Sequence, residues 1–171
     1  RNFDINNTGS ILKEIQLKII LVGPSRSGKS ILINSYVNDD LYDSGPTIGV
    51  EYYTLEKKIN KLENVKISIW DTSRQQIYDN VAQCYYRDCD AYFIVISSDE
   101  KNFIEKILEF YNKILLKKNK DSEIYVIYNI HNQNPINVAT NAHEVKNFCY
   151  KLDRDIIFVA LESKNSICLR D

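Results

Sequence analysis

The octapeptide GPSRSGKS, residues 23–30, constrains the fold of this chain more than any other stretch, because of what flanks it. Before it runs LKIILVG (17–23), a short apolar segment stopped by glycine, as a buried parallel strand would be. After it comes GKSILINSYV, which reads as a helix with Ile31, Leu32 and Ser35 returning to one face. The octapeptide fits G-x-x-x-x-G-K-[ST], and in a strand-to-helix turn that spacing carries a mechanism. Gly23 and Gly28 let the loop wrap closely, so that successive N–H groups and the helix N-terminus face an anion. Gly23, Ser25, Arg26, Ser27 and Gly28 are therefore candidate phosphate-binding positions, with Lys29 neutralising the outer phosphates and Ser30 offering its hydroxyl to Mg²⁺. The bland alternative is a Gly/Ser-rich turn with a chance lysine, and the flanking strand and helix weigh against it. Arg26 has two readings, an extra donor to phosphate or a side chain pointing to solvent.

Downstream the pattern repeats. VEYYTLEKKI and VKISIW read as two strands joined by the polar NKLEN, a hairpin-length link that suggests an antiparallel pair. AYFIVIS, EIYVIYN and DIIFVAL read as further strands, separated by the helix-like NFIEKILEFYNKILLKK and NAHEVKNFCYKL. Strands alternating with helices imply an α/β fold, a mainly parallel six-stranded sheet with one antiparallel strand and helices on both faces. Ligands of such sheets bind at the carboxyl ends of the strands. Residues 1–16 read as an N-terminal extension and 17–171 as one domain, in which the ICLRD tail is too short for a closing helix of usual length.

Composition narrows the function classes. A 171-residue chain with 44% hydrophobic and 26% charged residues is an ordinary globular domain, and a net charge of −1 argues against nucleic-acid binding driven by bulk charge. No apolar run reaches the length of a membrane span and no secretory-signal pattern opens the chain, so a cytosolic protein is expected. Cys84, Cys89, Cys149 and Cys168 form no CxxC pair, which makes buried, reduced thiols the expectation; CLRD does not suit a prenylation box. Neither His131 nor His143 has a partner at metal-ligand spacing, and surface positions are expected for both.

With the phosphate loop in place, other segments resemble the Ras superfamily, and most of all its Rab branch. PTIGVEY (46–52) is similar to the first switch, WDT (70–72) to the start of the second, and YYRDCDAYFIVIS (85–97) to the segment after it. The resemblance runs from about Leu17 to Leu161 and implies the P-loop NTPase fold of small GTPases, with GTP or GDP and Mg²⁺ as ligands. By resemblance Thr47 and Asp71 join Ser30 around the metal, Gln75 orients the attacking water, and Asn129, Asn132, Ser163 and Lys164 surround the base. Tyr52, Trp70 and Tyr85 resemble the aromatic cluster that meets effectors; burial in the core is an equally weighted reading. An exchange factor, an activating protein and attachment to the cytosolic face of endomembranes through a lipidated tail beyond Asp171 are further implications.

Three departures bear on function. Arg74 stands where the second switch usually has glycine, and its side chain restricts backbone changes that glycine allows, so hydrolysis slower than the family's is expected. The base loop N-K-x-D reads Asn129, Ile130, His131, Asn132 here. An Asn132 amide would meet guanine's amino group donor to donor, at a cost of about 1–3 kcal/mol, and would suit a carbonyl there, as in xanthine; Ile130 is expected to pack against a base edge. The last motif survives only as ESK, residues 162–164. Two readings follow: a divergent Rab-like nucleotide switch, or a pseudo-GTPase that keeps the fold as a protein-interaction module. A small-molecule kinase fits less well, since the switch-like segments are present and an arginine-rich lid is not.

Overall fold

The computed structural model describes residues 3–5, 11–37, 50–60, 63–72, 84–131 and 135–162. Among these residues, seven strands and three helices follow in chain order: β1 (Phe3–Ile5), β2 (Ile11–Val22), α1 (Lys29–Val37), β3 (Val50–Lys58), β4 (Glu63–Thr72), β5 (Ala91–Ser97), α2 (Phe103–Leu115), β6 (Glu123–Asn129), α3 (Pro135–Leu152) and β7 (Ile157–Leu161). The strands form one sheet in the order β3-β4-β2-β5-β6-β7. Along that path only β3 runs antiparallel, paired with β4 so that Tyr52 lies opposite Trp70; this is the six-stranded mixed sheet that the alternation predicts.

The sheet gains a seventh member from the N-terminal segment, where β1 pairs antiparallel with the first residues of β2, Phe3 opposite Lys13 and Ile5 opposite Ile11. Strand β2 thus begins at Ile11 and not at Leu17. The added turns of β2 pair with β4 from Lys13 opposite Glu63 onward, so the partner strand, rather than any local apolar run, extends this element. Helix α3 likewise starts earlier than its apolar spacing suggests, at Pro135, where a ring with no N–H costs nothing in the first helical turn.

Two clusters of apolar residues cover the two faces. On one, Leu21, Ile69, Val95 and Ile127 pack with Leu32 and Ile33 of α1. On the other, Ile20, Val22, Tyr92, Ile94, Ile96, Val126 and Tyr128 meet Ile107, Tyr111 and Ile114 of α2 and Val145 and Cys149 of α3. The alternation Ile20, Leu21, Val22 feeds both clusters because successive side chains of a strand point to opposite faces. In α2 the buried residues are spaced by four and three, one stripe of a helix, and each fully buried isoleucine contributes about 1.5–3 kcal/mol. The pairs of Glu109 with Lys106 and Lys113 on the same helix, 2.9 and 3.0 Å apart, are partly exposed and add only tenths of a kcal/mol.

Cys89 and Cys149 are buried and reduced as expected, and burial pushes their thiols up to about 11 and 12; Cys84, by contrast, is exposed. No helix among the described residues is long and apolar enough to cross a membrane. The tail after Glu162 lies outside the described residues.

Candidate phosphate and base site

The carboxyl ends of β2, β4, β5 and β6 converge on the loop 23–30. Strand β2 ends at Val22, and Gly23 carries the chain over β5 with φ 145°, a conformation closed to other residues. The approach is so close that a Cβ at Gly23 would collide with the Val95 carbonyl oxygen and lie 3.1 Å from its carbon. Arg26 adopts φ 63° and Gly28 φ 92°, so three backbone reversals fold the loop before α1 begins at Lys29. Ser25 and Arg26 are exposed; for Arg26 this matches the solvent-facing reading.

Lys29 is the charged centre of the loop. Its Nζ donates to the carbonyls of Gly23 at 3.0 Å and Pro24 at 2.8 Å and lies 3.4 Å from Ser27 Oγ. The side chain is buried, and desolvation lowers its pKa to about 8 against the opposing pull of Asp71. Asp71, near the end of β4, is fully buried, and its Oδ2 accepts from Ser30 Oγ at 2.5 Å. Burial raises its pKa; the Ser30 hydrogen bond and Lys29 oppose that rise, and Glu51 adds to it. Its second oxygen, Oδ1, has no hydrogen-bond partner among the described residues, a buried acceptor of the kind that marks a place for a cation or water. Ser30 and Asp71, distant in sequence, are thus joined as a hydroxyl and a carboxylate, oxygen donors suited to a hard divalent cation.

Asn129 ends β6 and is fully buried, with Nδ2 donating to the Ser27 carbonyl at 2.9 Å. That bond ties the base loop to the phosphate loop, and only glycine at position 28 leaves room, since a Cβ there would overlap Asn129 Nδ2. Ile130 is half-buried: its side chain packs against the cluster under α2 and α3, and its N–H donates to the Leu161 carbonyl at 2.8 Å. His131 is no free surface residue: it is half-buried, with Nε2 3.2 Å from Asn129 Nδ2 and its backbone N–H donating to Ser98 Oγ at 2.9 Å. Strand alternation carried one step past β6 would have found it, because i and i+2 share a side. His143 is exposed, as expected. Thr47, Arg74, Gln75, Asn132, Ser163 and Lys164 lie outside the described residues.

Around the edge of the sheet, Trp70 joins Tyr52 and Tyr85, with ring centroids 4.7 and 5.1 Å away. Tyr52 is 52% exposed, whereas Trp70 and Tyr85 are half-buried against the core cluster. Core packing therefore holds for Trp70 and Tyr85, while Tyr52 stays exposed. Trp70→Ala is expected to lose about 2 kcal/mol, less than a fully buried tryptophan because part of the ring is already wet. Tyr52→Ala should leave the midpoint of thermal unfolding almost unchanged. Equal midpoints for the two variants in a melting experiment would put Trp70 on the surface instead.

A family model described as "Ras of Complex, Roc, domain of DAPkinase" matches residues 18–133. The chain is 24% identical over 144 residues to a "Probable Rab-related GTPase" of Acanthamoeba polyphaga mimivirus, covering 84% of this chain and 67% of that protein. It is 32% identical over 113 residues to "Ras-related protein RABA4b" of Arabidopsis thaliana, covering 66% of this chain and 50% of that protein. It is 26% identical over 125 residues to "Ras-related protein SEC4" of Candida albicans, covering 71% of this chain and 58% of that protein. The chain thus spans between half and two thirds of the length of these relatives. With the loop 23–30 closing a mixed sheet of this order, and with a family model covering well over half its residues, the chain belongs to the Ras superfamily of small GTPases as a divergent Rab-like member.

Proposed function

We propose that this chain binds a guanine nucleotide with Mg²⁺ and acts as a switch in membrane traffic. The observation that carries the reading is the pair formed by Ser30 and Asp71 beside Lys29, with Asp71 Oδ1 buried and without a hydrogen-bond partner among the described residues. The backbone N–H groups of Gly23, Ser25, Arg26, Ser27 and Gly28 would line the phosphates, and Lys29 would exchange the loop carbonyls for phosphate oxygens. Ser30, Thr47 and Asp71 would hold Mg²⁺, a cation that neutralises charge on the outer phosphates when bound. Asn129, Asn132, Ser163 and Lys164 would surround the base, and Gln75 would orient water for a hydrolysis slowed by Arg74. Effectors would dock on the switches beside Tyr52, Trp70 and Tyr85, with an exchange factor and an activating protein acting on the same surface. Residence on the cytosolic face of endomembranes belongs to the same proposal.

A second reading is favoured by one observation: at the position of the family's lysine stands Ile130, an apolar side chain that packs against the cluster under α2 and α3. On that reading the chain is a pseudo-GTPase with lost or altered base specificity. Purification without added nucleotide, followed by denaturation and ion-exchange chromatography with a mass check, separates the two. Stoichiometric release of GDP or GTP is the expected result. An empty protein, or one carrying another base, would transfer the conclusion to the pseudo-GTPase.

A further inference from the structure

We infer that His131 is a positioning residue of the nucleotide site, one that withholds the Asn129 amide from the base. The inference rests on the proposed nucleotide binding and concerns which edge of the base is read. Asn129 Nδ2 carries two hydrogens. One goes to the Ser27 carbonyl at 2.9 Å, and a carbonyl only accepts, so the amide nitrogen and not its oxygen must face the phosphate loop. The same nitrogen lies 3.2 Å from His131 Nε2. Facing a donor, that ring nitrogen must accept, which places the ring proton on Nδ1 and takes up the second amide hydrogen.

The ring is not there by chance of rotation. The His131 backbone is held by the buried Ser98 hydroxyl at 2.9 Å, and its Cε1 lies 3.5 Å from where a Cβ on Gly28 would stand. Gly28, Asn129 and His131 therefore form one compact corner between the phosphate loop and the end of β6. Guanine presents N7 and O6 as acceptors along one edge, and an amide that reads this edge must give it an N–H. With both hydrogens committed within the protein, Asn129 has none to give N7 while His131 stays in place. His131 thus competes with the base for a single proton donor and flattens discrimination at N7.

The probe is 7-deaza-GDP, in which C–H replaces N7 and the rest of the nucleotide is unchanged. Dissociation constants for GDP and 7-deaza-GDP, measured with Mg²⁺ on the nucleotide-free chain, are expected to agree within about twofold. In His131→Leu the freed amide should favour GDP by about tenfold, the size of one hydrogen bond. His131→Gln restores a neutral acceptor and should return the ratio to that of the native chain. A purely structural role would weaken both nucleotides together and leave their ratio alone. A native ratio of tenfold or more, or a leucine variant with the native ratio, overturns the inference; should the leucine variant fail to fold, the native ratio decides by itself. Failure of both nucleotides to bind the native chain overturns the proposed function and this inference with it.

Discussion

Gly23→Ala is expected to destabilise the domain by about 3–5 kcal/mol, lowering its melting midpoint on the order of 10 °C, and to abolish nucleotide binding. Two effects add at this position. The φ of 145° belongs to a region that side chains rarely adopt, and the new methyl group would strike the Val95 carbonyl. That carbonyl is backbone of the central strand β5, between β2 and β6, so it has nowhere to retreat without breaking sheet hydrogen bonds. The loop must lift instead, which carries the Gly23 and Pro24 carbonyls away from Lys29. Gly28→Ala would meet the buried Asn129 amide at a φ of 92° and should cost stability as well, with the Asn129–Ser27 hydrogen bond as its first loss. Equal melting midpoints for Gly23→Ala and the native chain would mean that the loop does not cross β5 as described.

Lys29→Met should lower affinity for nucleoside triphosphate by at least about 100-fold, because a buried ammonium facing phosphate is replaced by a thioether of similar length. The same substitution has a signature in the nucleotide-free domain. Lys29 has a folded pKa of about 8 against an ordinary 10.5. Between those values the unfolded chain binds more protons, so stability rises with pH. The penalty for burying the charge is complete below pH 8 and gone above 10.5, a span of about 3 kcal/mol. Cys89 and Cys149, whose pKa values are raised, and the tyrosines Tyr92 and Tyr111 act with the opposite sign once pH passes their ordinary values of 9–10. These groups are common to both proteins, so the difference in melting midpoint between native chain and Lys29→Met, followed from pH 7.5 to 9.5, isolates the lysine. A constant difference would show that Lys29 is better solvated than its burial indicates.

The elements most legible in the sequence were those buried on both faces. For β5 and β6 the runs AYFIVIS and EIYVIYN coincide with the strands residue for residue, because helices cover the sheet there and the central positions, 92–96 and 124–128, are all apolar. The start of β2 was not legible: ILKEIQ mixes polar and apolar residues, and it becomes strand because β4 and β1 offer backbone partners. The strand-to-helix turn at 23–30 could be read from its spacing together with its flanks, and the antiparallel hairpin that sets Tyr52 beside Trp70 from the polar link between two strands. The residues after β6 were harder: Ile130 packs against the apolar cluster and His131 lies beside Asn129, since at the end of a strand the side taken by each residue is decided by pleat rather than by motif position.

The hydrogen bond from Asn129 to Ser27 spans 102 residues and ties the end of β6 to the backbone of the loop 23–30. A chain is made from its N-terminus at about 5–20 residues per second. The phosphate loop therefore emerges from the ribosome some 5–20 s before the residue that braces it. Through that interval Lys29 has its own loop carbonyls as partners, and Ser30 awaits Asp71 for a shorter time. The last part of the corner to arrive is the end of β6, so the newborn protein completes its loop only when most of the domain has been translated.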